Sequence, residues 1–363
     1  MKNNPVILLG SYQVNDIYRL IITHLIDMGY KVVDISYNHE PPPFKYRSLT
    51  TRLLVLFKRI IFRQKNAKQK LIQKEKDLYI ESVNKQVSKK LDQYKSFDFS
   101  IILGGQIYHK NHLLEIKRKT KNLMVAYQSD GLTRFPKIFD CLDIFHKVYI
   151  FDPKDYKSYK NSITNLYPAT NFYFDRITFN TGKSNIPYSF YFRGVHLDEL
   201  SRAKSISVFA KYALQNNLNT DITIYHLNNR SFKKHNKLYP SNVKASLQAI
   251  PFSENIENEK NSWCLLDFCT PIHTGVSFRT IEAIGYQKKL ITTNHWVKTY
   301  DFYHPNNIFI WDGENINSEE LDSFLNSPYY DIGDLIRKKY SFTNWIRYLL
   351  NIHPYQEINL PDL

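Results

Sequence analysis

Residues 263–294, WCLLDFCTPIHTGVSFRTIEAIGYQKKLITTN, predict a β-α-β unit and decide the fold of this chain. The apolar run 263–268 is typical of a strand buried on both faces, and 289–293 alternates β-branched residues before a polar stop. Between them, apolar residues recur at helical spacing, Ser277 stands where an N-cap satisfies the first free amides, and Gly285 follows as a stop signal. The order strand, loop, helix, strand makes the two strands parallel.

Polar groups in such a unit gather after the first strand and at the start of the helix, where free amides and the helix dipole favour an anion. Here these groups are Thr274, Gly275, Ser277, Arg279 and Glu282. Small residues, a cation and a carboxylate on one helical turn suit a nucleotide sugar. The amides and Arg279 would meet the pyrophosphate, and Glu282 would meet hydroxyl groups of ribose or sugar. The alternative is a tight turn followed by a solvated Arg–Glu pair.

The same stretch carries a family resemblance. The pattern T-G-V-S-x-R-x-x-E-A-I-G-x-x-K-K-L-I-T-T-N, followed by YDFYHPNNIFIWD at 300–312, resembles the donor-binding half of two-domain GT-B glycosyltransferases. It is most similar to bacterial enzymes of this group that build lipopolysaccharide or capsule. Outside this region the resemblance is architectural. It implies donor-binding roles for Thr274, Gly275, Ser277, Arg279, Glu282 and Asn294.

One departure from that family bears on stereochemistry. Many retaining members have a second glutamate eight positions after the first, and this chain has Leu290 there. We therefore expect an inverting transfer, which needs a base in the first domain to take the proton from the acceptor hydroxyl group. We also expect no cofactor and no protein-bound metal, since the sequence has no Asp-x-Asp triplet and no His/Cys cluster.

Composition places the chain among globular α/β proteins. With 363 residues and 43% hydrophobic content, it is long enough for two α/β domains, each with its own core. Cys141, Cys264 and Cys269 show no metal-ligand spacing and are interpreted as core residues in a reducing compartment. The start, MKNNPVILLGS, has too short an apolar run for a signal peptide, and no run reaches the roughly 18 apolar residues of a spanning helix. We therefore expect a cytoplasmic location.

The order of predicted elements divides the chain into two Rossmann-like domains with a returning tail. The first domain, 1–176, opens with a β-α-β unit and carries a basic helical insertion at 45–95. The second, 185–331, contains the unit quoted above, and an apolar helix in the tail 332–363 is expected to cross back to the first domain. Other predicted features are a helix at 137–145, a strand at 147–151, a linker formed by YPATN at 167–171 and the polar span 176–187, and a single tail helix at 332–350.

Excess positive charge is concentrated in the insertion. The chain carries a net charge of +15, and residues 45–95 hold 15 lysines and arginines against four acidic residues. Between Arg52 and Arg63 the sequence RLLVLFKRIIFR predicts a cationic amphipathic helix. Its apolar stripe consists of Leu53, Leu56, Phe57, Ile60 and Ile61.

The basic helix has three interpretations. We favour docking onto anionic lipid at the inner face of the cytoplasmic membrane, because a lipid-linked acceptor would be met there and each nearby Lys or Arg contributes about 1 kcal/mol. The alternatives are an ordinary solvated helical hairpin and nucleic-acid binding. The segment lacks exposed aromatic residues interleaved with the charge and has no recognisable nucleic-acid module, so we expect no nucleic-acid partner.

Candidate residues for the acceptor side and for the base follow strands of the first domain. Gly10 and Ser11 end the first strand, and in GT-B enzymes the corresponding loop faces the cleft and the acceptor. Gln128 and Asp130 follow a later strand, and Asp130 is the leading candidate base because it is a carboxylate in a glycine-bounded loop at the working edge of the sheet. The alternative is a turn role for the Asp–Gly pair. Weaker candidate bases are His109, His112 and Asp16.

Two residues at predicted strand ends complete the donor-side candidates. Arg193 ends the first strand of the second domain, and His226 ends the next one, where it either reaches the cleft or is a structural histidine. The resulting hypothesis is a transferase that moves a sugar from a nucleotide sugar to a lipid-linked saccharide in lipopolysaccharide or capsule synthesis. Rival hypotheses are a CMP-linked acidic-sugar transferase of the same architecture and a non-catalytic binder of sugar nucleotides or nucleic acid.

Overall fold

The computed structural model of the protein contains two sheets of parallel strands, the first formed by the first half of the chain and the second by the second half. It describes residues 4–13, 16–38, 41, 44–64, 66–176, 189–197, 200–270 and 274–362. Residues 177–187 of the predicted polar linker span lie outside the described residues.

The first sheet has six parallel strands in the order β2-β1-β3-β4-β5-β6. Its strands are β1 (Val6–Gly10), β2 (Lys31–Asp34), β3 (Phe99–Leu103), β4 (Met124–Gln128), β5 (Lys147–Ile150) and β6 (Leu166–Pro168). The helices of this half are α1 (Ile17–Asp27), α2 (Leu49–Ile60), α3 (Ala67–Asp92), α4 (Lys110–Lys119) and α5 (Pro153–Tyr159). The predicted basic insertion is the helix pair α2–α3, placed between β2 and β3.

The second sheet also has six parallel strands, in the order β12-β11-β10-β7-β8-β9. Its strands are β7 (Ser189–Val195), β8 (Asn219–Tyr225), β9 (Val243–Ser246), β10 (Cys264–Asp267), β11 (Lys289–Thr292) and β12 (Ile308–Ile310). Its helices are α6 (Leu200–Gln215), α7 (Asn229–His235), α8 (Phe252–Asn261), α9 (Phe278–Gly285) and α10 (Ser318–Asn326). The predicted unit is therefore β10–α9–β11, and Ser277 caps α9 by accepting a hydrogen bond from the Thr280 amide at 3.1 Å.

The tail forms two helices, α11 (Asp334–Lys339) and α12 (Phe342–Leu350), of which α12 packs in the core of the first sheet. The indole of Trp345, which is fully buried, donates a hydrogen bond to the Thr170 carbonyl at 3.0 Å. The Tyr149 hydroxyl group on β5 donates to the Leu349 carbonyl at 3.1 Å. The chain thus returns to its first half, and the predicted architecture of two α/β halves with a basic insertion and a returning helix is confirmed.

The single tail helix predicted at 332–350 is wrong, because the chain breaks at Tyr340 and Ser341. There the backbone pairs with the end of the first half: the Tyr173 amide donates to the Tyr340 carbonyl at 3.1 Å, and the Phe342 amide donates to the Tyr173 carbonyl at 2.8 Å. Ser341 then caps α12 by accepting from the Asn344 amide at 3.1 Å. These backbone hydrogen bonds to a distant segment replace the hydrogen bonds that a continuous helix would form at Tyr340 and Phe342.

The helix predicted at 137–145 is also wrong. The chain there forms short 3-10 turns, Pro136–Asp140 and Leu142–Ile144. The backbone bonds here join residues three apart, as in Cys141 N to the Ile138 carbonyl and Ile144 N to the Cys141 carbonyl, both 3.1 Å. Four of the five buried apolar residues have the spacing of one α-helical face, so the apolar pattern alone did not distinguish these turns from a helix. The five are Ile138, Cys141, Leu142, Ile144 and Phe145.

Two short edge strands were not expected from the sequence. β6 overlaps YPATN, which was assigned to the linker, and β9 has the mixed sequence Val-Lys-Ala-Ser. Each is the last strand of its sheet and pairs on one side only. Three residues that end in a proline, or four residues that include lysine, alanine and serine, do not have the composition that indicates a strand from sequence alone.

Candidate functional site

A pocket of about 320 Å³ lies at the carboxyl edge of the first sheet. Ser11 follows β1, Gln128 ends β4 and Asp130 follows it, so three sequence candidates line one pocket. Phe278, the first residue of α9, is the one described lining residue from the second half. None of the predicted donor-side residues is among the described lining residues.

Asp130 lies at the rim of this pocket with its side chain 32% exposed. Its Oδ1 atom accepts a hydrogen bond from Arg134 Nη1 at 2.9 Å, one turn along the chain. The guanidinium group orients the carboxylate and leaves it accessible. The hydrogen bond from Arg134 therefore fixes the Asp130 carboxylate, in addition to the backbone of the loop that follows β4.

Two glutamines bring amide groups to the same pocket. Gln128 is 2% exposed, and Gln106 lies in the 3-10 turn that follows β3. Neither Oε1 atom has a hydrogen-bond partner among the described residues. Gln106 was not among the sequence candidates, although it follows a strand that ends at the same edge, which is the signal that selected Gln128.

Gly10 is required for packing. A Cβ atom at this position would lie 2.8 Å from Ile102 Cδ1 and 2.8 Å from the Tyr108 ring, closer than such atoms approach each other. The next residue, Ser11, is buried and its hydroxyl group donates to the Tyr12 carbonyl at 3.0 Å. Glycine at position 10 therefore lets Ile102 and Tyr108 pack against the end of β1, and Ser11 lines the pocket.

The loop before α9 holds a carboxylate of the first half. Thr274 donates to Asp152 twice, from its amide to Oδ2 at 2.8 Å and from its hydroxyl group to Oδ1 at 2.9 Å, and the Gly275 amide donates to Oδ2 at 3.3 Å. A Cβ atom on Gly275 would lie 2.6 Å from the Phe151 ring, so only glycine permits this approach. The amides predicted to bind pyrophosphate thus bind an oxyanion, which here is Asp152.

Ser277 and Asn294 fix that loop in position. The Ser277 hydroxyl group donates to Asp267 Oδ1 at 3.0 Å while capping α9. Asn294 is 2% exposed, donates to the Gly275 carbonyl at 3.1 Å and accepts from the Trp296 amide at 3.1 Å. In this structure both side chains support the loop and do not project into the pocket.

The guanidinium group of Arg279 is committed to its own half of the chain. Its Nη2 atom donates to the Arg193 carbonyl at 2.6 Å, and it lies 4.6 Å from the centre of the Phe192 ring. It also faces two carboxylates, Asp267 at 3.7 Å and Glu259 at 3.9 Å. The expectation that Arg279 faces the cleft is not met here, because these partners turn it towards the β7–β10 junction.

Glu282 is a buried member of a carboxyl pair. It is 2% exposed and lies against Glu259, which is fully buried on α8. Burial first, and then repulsion from Glu259, hold the pKa of Glu282 well above its ordinary value, and burial also raises the pKa of Glu259. The expectation that Glu282 offers a carboxylate to sugar hydroxyl groups is therefore corrected: α8 covers that face of α9.

Replacing Glu282 by glutamine should stabilise the protein at neutral and alkaline pH. A carboxyl group whose pKa is raised by folding stabilises the fold fully below its unfolded pKa, and that contribution is lost as the pH rises towards the folded pKa. The neutral amide in Glu282→Gln escapes this loss, which is about 1.4 kcal/mol for each unit of pKa shift. Urea unfolding at pH 8 should show the gain, and at pH 4 the two proteins should converge.

The control is Glu257→Gln, on the exposed face of the same helix as Glu259. Its stability should follow that of the wild type at both pH values. A Glu282→Gln protein that is less stable than the wild type at pH 8 would contradict a neutral Glu282.

Arg193 and His226 also have partners inside the second half. Arg193 Nη2 donates to Asp221 Oδ2 at 2.8 Å. His226 follows β8, is 1% exposed, and its Nδ1 atom lies 3.3 Å from the Ser231 hydroxyl oxygen. Burial lowers the pKa of His226. In this structure Arg193 forms an internal ion pair and His226 is a buried histidine.

The weaker candidate bases lie outside the pocket. His112 Nε2 is 2.9 Å from the Ser88 hydroxyl oxygen on α3, and His109 caps α4 by accepting from the Asn111 amide at 3.3 Å. Asp16 accepts hydrogen bonds from the Phe252 amide and, at 3.2 Å, from the Ser253 hydroxyl group at the start of α8. Of the four candidates, Asp130 is the one that lines the pocket.

Comparison with known proteins identifies the architecture. No protein-family model matches the chain, and no curated protein sequence matches it. Among solved structures, an α-glucosyltransferase in complex with UDP-glucose and DNA containing an abasic site has a TM-score of 0.54 at 11% identity and covers 90% of both chains. MnaA of S. aureus, in a co-structure with UDP, has a TM-score of 0.51 at 9% identity and covers 98% of this chain and 100% of its own. The chain has the GT-B fold.

A third solved structure has the same overall fold. It is a UDP-N-acetylglucosamine 2-epimerase from Listeria monocytogenes, described as putative, with a TM-score of 0.50 at 8% identity. The alignment covers 98% of this chain and 99% of that one. At such identities the likeness is one of fold, so the chemistry has to be argued from the residues of this chain.

In this GT-B fold the pocket at the carboxyl edge of the first sheet offers an accessible carboxylate and amide groups. The loop before α9, which is not part of the pocket lining, holds the Asp152 carboxylate of the first half through its amides. Among the described residues, no group of three or more His, Cys, Asp or Glu side chains is arranged to hold a metal ion.

Proposed function

We propose that this protein is a glycosyltransferase that moves a sugar from a nucleotide sugar to a lipid-linked saccharide, with inversion at the anomeric carbon and without a protein-bound metal. Synthesis of lipopolysaccharide or capsule is the process we assign to it. The observation that carries the proposal is that Asp130 lines a pocket at the carboxyl edge of the first sheet, to which α9 of the second half contributes Phe278. Ligands of α/β folds bind at such edges.

Asp130 supplies the base in this mechanism. Its carboxylate takes the proton from the acceptor hydroxyl group as that oxygen attacks the anomeric carbon of the donor. The bond from the anomeric carbon to the diphosphate oxygen breaks on the opposite side, which inverts the configuration. The pair with Arg134 keeps the carboxylate directed at the pocket rim.

The donor diphosphate is assigned to the amides of Thr274 and Gly275. These groups hold the Asp152 carboxylate at 2.8 to 3.3 Å, so Asp152 stands in for a phosphate oxyanion. For the diphosphate to bind, Asp152 has to leave the loop, which separates the two halves locally. The fold neighbours whose titles name UDP or UDP-glucose support a nucleotide sugar as the donor.

A lipid-linked acceptor is supported by the exposed face of α2. All five residues of the predicted apolar stripe are exposed, and Val55 is the one buried residue of α2. The exposed fractions are 63% for Leu53, 41% for Leu56, 53% for Phe57, 72% for Ile60 and 59% for Ile61. Lys58 and Arg59 lie on the same helix, which gives the combination that binds anionic lipid surfaces. None of the described helices is long and apolar enough to pass through a bilayer.

Leu53→Asp should weaken binding to anionic vesicles by about tenfold or more, because it removes an apolar side chain from the lipid surface and adds a repelled charge. Co-sedimentation with phosphatidylglycerol-containing vesicles measures this. The matched control is Leu335→Asp on α11, where leucine is 72% exposed. That variant should bind as the wild type does.

The salt dependence of vesicle binding distinguishes a cationic membrane-binding surface from a purely apolar one. Binding of the wild type should decline as ionic strength rises, since screening weakens charge attraction. Equal binding to neutral and anionic vesicles, or equal losses in both variants, would refute the membrane surface. Release of nucleotide from a panel of nucleotide sugars tests the transferase itself.

A further inference from the structure

We propose that a pocket at the amino edge of the second sheet binds a small soluble compound that carries a phosphate group. The pocket has a volume of about 500 Å³ and shares no lining residue with the pocket at Asp130. Trp263, which precedes β10, and Lys288, which precedes β11, line it. It therefore lies at the opposite end of these strands from the loop before α9, and its ligand is separate from the substrates of the proposed transfer.

The described lining of this pocket, called the lysine pocket below, carries positive charge only. Three lysines line it, and no aspartate or glutamate is among its described lining residues. The lysines are Lys260, Lys288 and Lys289. Neutral amide and hydroxyl side chains that can donate hydrogen bonds complete the polar lining, namely Asn261, Ser262, Gln287, Asn326 and Ser327. Ammonium groups together with such donors are suited to phosphate oxygens.

Lys289 is a buried cation without a counter-charge. It is 5% exposed, and its Nζ atom donates to the Phe324 carbonyl, to the Ser327 carbonyl at 2.7 Å and to the Ser327 hydroxyl oxygen at 3.0 Å. All three acceptors are neutral, and no carboxylate in the described part of the chain forms an ion pair with it. Buried charges normally have a partner of opposite charge, and an anion in the adjoining pocket would supply one.

Lys288 brings a second uncompensated charge to the same pocket. It is half-buried, and no hydrogen bond or ion pair joins its ammonium group to any other residue that the structure describes. Burial, and then repulsion from Lys260, lowers the pKa of Lys288, and burial also lowers the pKa of Lys260. The two ammonium groups are close enough to repel each other, so one phosphate dianion can attract both.

The helix ends beside the pocket do not use up this charge. Both α8 and α10 end here, and the carbonyl groups at a helix C-terminus favour cations. Some of these carbonyls already have neutral donors: the Ser262 hydroxyl group donates to the Asn258 carbonyl and the Ser327 hydroxyl group donates to the Phe324 carbonyl, each at 2.7 Å. Lys289 serves the end of α10 as well, which leaves Lys288 for a ligand.

The shape and polarity of the lysine pocket favour a free compound over a lipid surface. None of the described lining residues belongs to the large hydrophobic side chains that are exposed on this protein. Binding to a bilayer through phospholipid headgroups would be aided by such side chains, as on α2. A volume of about 500 Å³ lies within the range of small-molecule sites and accommodates a sugar phosphate.

Ligand-observed NMR titration with ribose 5-phosphate tests this site, and ribose is the matched ligand without charge. The wild type should bind ribose 5-phosphate and not ribose. Lys288→Gln should weaken binding about tenfold, the equivalent of about 1.4 kcal/mol, because it removes one charge-assisted contact to the phosphate. Lys260→Gln should weaken it 5-fold or more. The control is Lys298→Gln, which removes an exposed lysine after β11, at the other edge of the sheet, and should bind as the wild type does.

Thermal unfolding confirms that each variant is folded, and Lys288→Gln is expected to fold because its ammonium group has no bond to lose. Absence of ribose 5-phosphate binding, or equal binding by the wild type and both folded lysine-pocket variants, would overturn the inference. So would a loss in Lys298→Gln as large as that in Lys288→Gln. Binding of ribose 5-phosphate reports on the lysine pocket and nucleotide-sugar turnover reports on the transferase, so the two proposals fail independently.

Discussion

Asp130→Asn should lower the rate of sugar transfer by about 10²- to 10⁴-fold while the affinity for the donor is retained. Asparagine keeps the size of the side chain and a hydrogen bond to Arg134, which in the native protein is 2.9 Å long, but it cannot accept a proton from the acceptor. The donor contacts assigned to the second half are untouched. Initial rates at saturating donor, together with donor binding by calorimetry, measure the two effects separately.

Asp140→Asn is the control, because Asp140 is an exposed aspartate nearby in the chain that does not line the pocket. It should transfer sugar at the native rate. A native rate for Asp130→Asn would remove Asp130 from the mechanism. NMR of the product adds an independent check, since retention of anomeric configuration would exclude the inverting mechanism and leave the GT-B fold unaffected.

Arg279→Ala should reduce the free energy of unfolding by about 3 to 5 kcal/mol, because it leaves buried carboxylates without their cation. Arg279 lies between Asp267 and Glu259, which are 3% and 0% exposed, and also holds the Arg193 carbonyl. Urea unfolding followed by tryptophan fluorescence measures the loss. The sequence alone indicated a donor-binding role for Arg279; its buried partners in the structure make stability the property that the substitution is expected to change.

The matched control for this substitution is Arg47→Ala. Arg47 pairs with Glu75 at 3.0 Å, but its side chain is 71% exposed, and such surface pairs contribute about 1 kcal/mol or less. If Arg279→Ala is as stable as this control and instead lowers turnover, Arg279 acts on the donor as the sequence first indicated.

The β10–α9–β11 unit was predictable because its signals are local. Helical spacing, the Ser277 cap and the strand patterns all lie within residues 263–294. The pocket candidates Gln128 and Asp130 followed from one rule, that parallel strands end at a common edge, and Ser11 was implied by the resemblance to GT-B enzymes. That rule needs only the position of each strand end.

The position of Glu282 was not predictable by the same means. Helical spacing gives the face on which Glu282 lies, but what covers that face depends on α8, which the sequence did not indicate. Glu259 on α8 turns an expected ligand into half of a buried pair. Spacing within one helix therefore cannot distinguish a site residue from a packed one.

Asp152 was missed for a related reason. Its bonds to Thr274 join residues 122 positions apart, and no local pattern encodes such a contact. It nevertheless follows β5 at the same edge as Asp130. Listing every polar residue after a first-half strand would have found both Asp152 and Gln106.

Nucleotide release from a panel of UDP-, GDP-, dTDP- and CMP-sugars, with anionic vesicles carrying lipid-linked saccharide, decides whether this protein is a glycosyltransferase. We expect that one nucleotide class is bound and cleaved, that release depends on the acceptor, and that Asp130→Asn releases nucleotide at least 100-fold more slowly. Turnover of a CMP-sugar alone would select the acidic-sugar transferase considered from the sequence. Binding of no nucleotide sugar, or binding with no release under any of these conditions, would refute the proposed transferase.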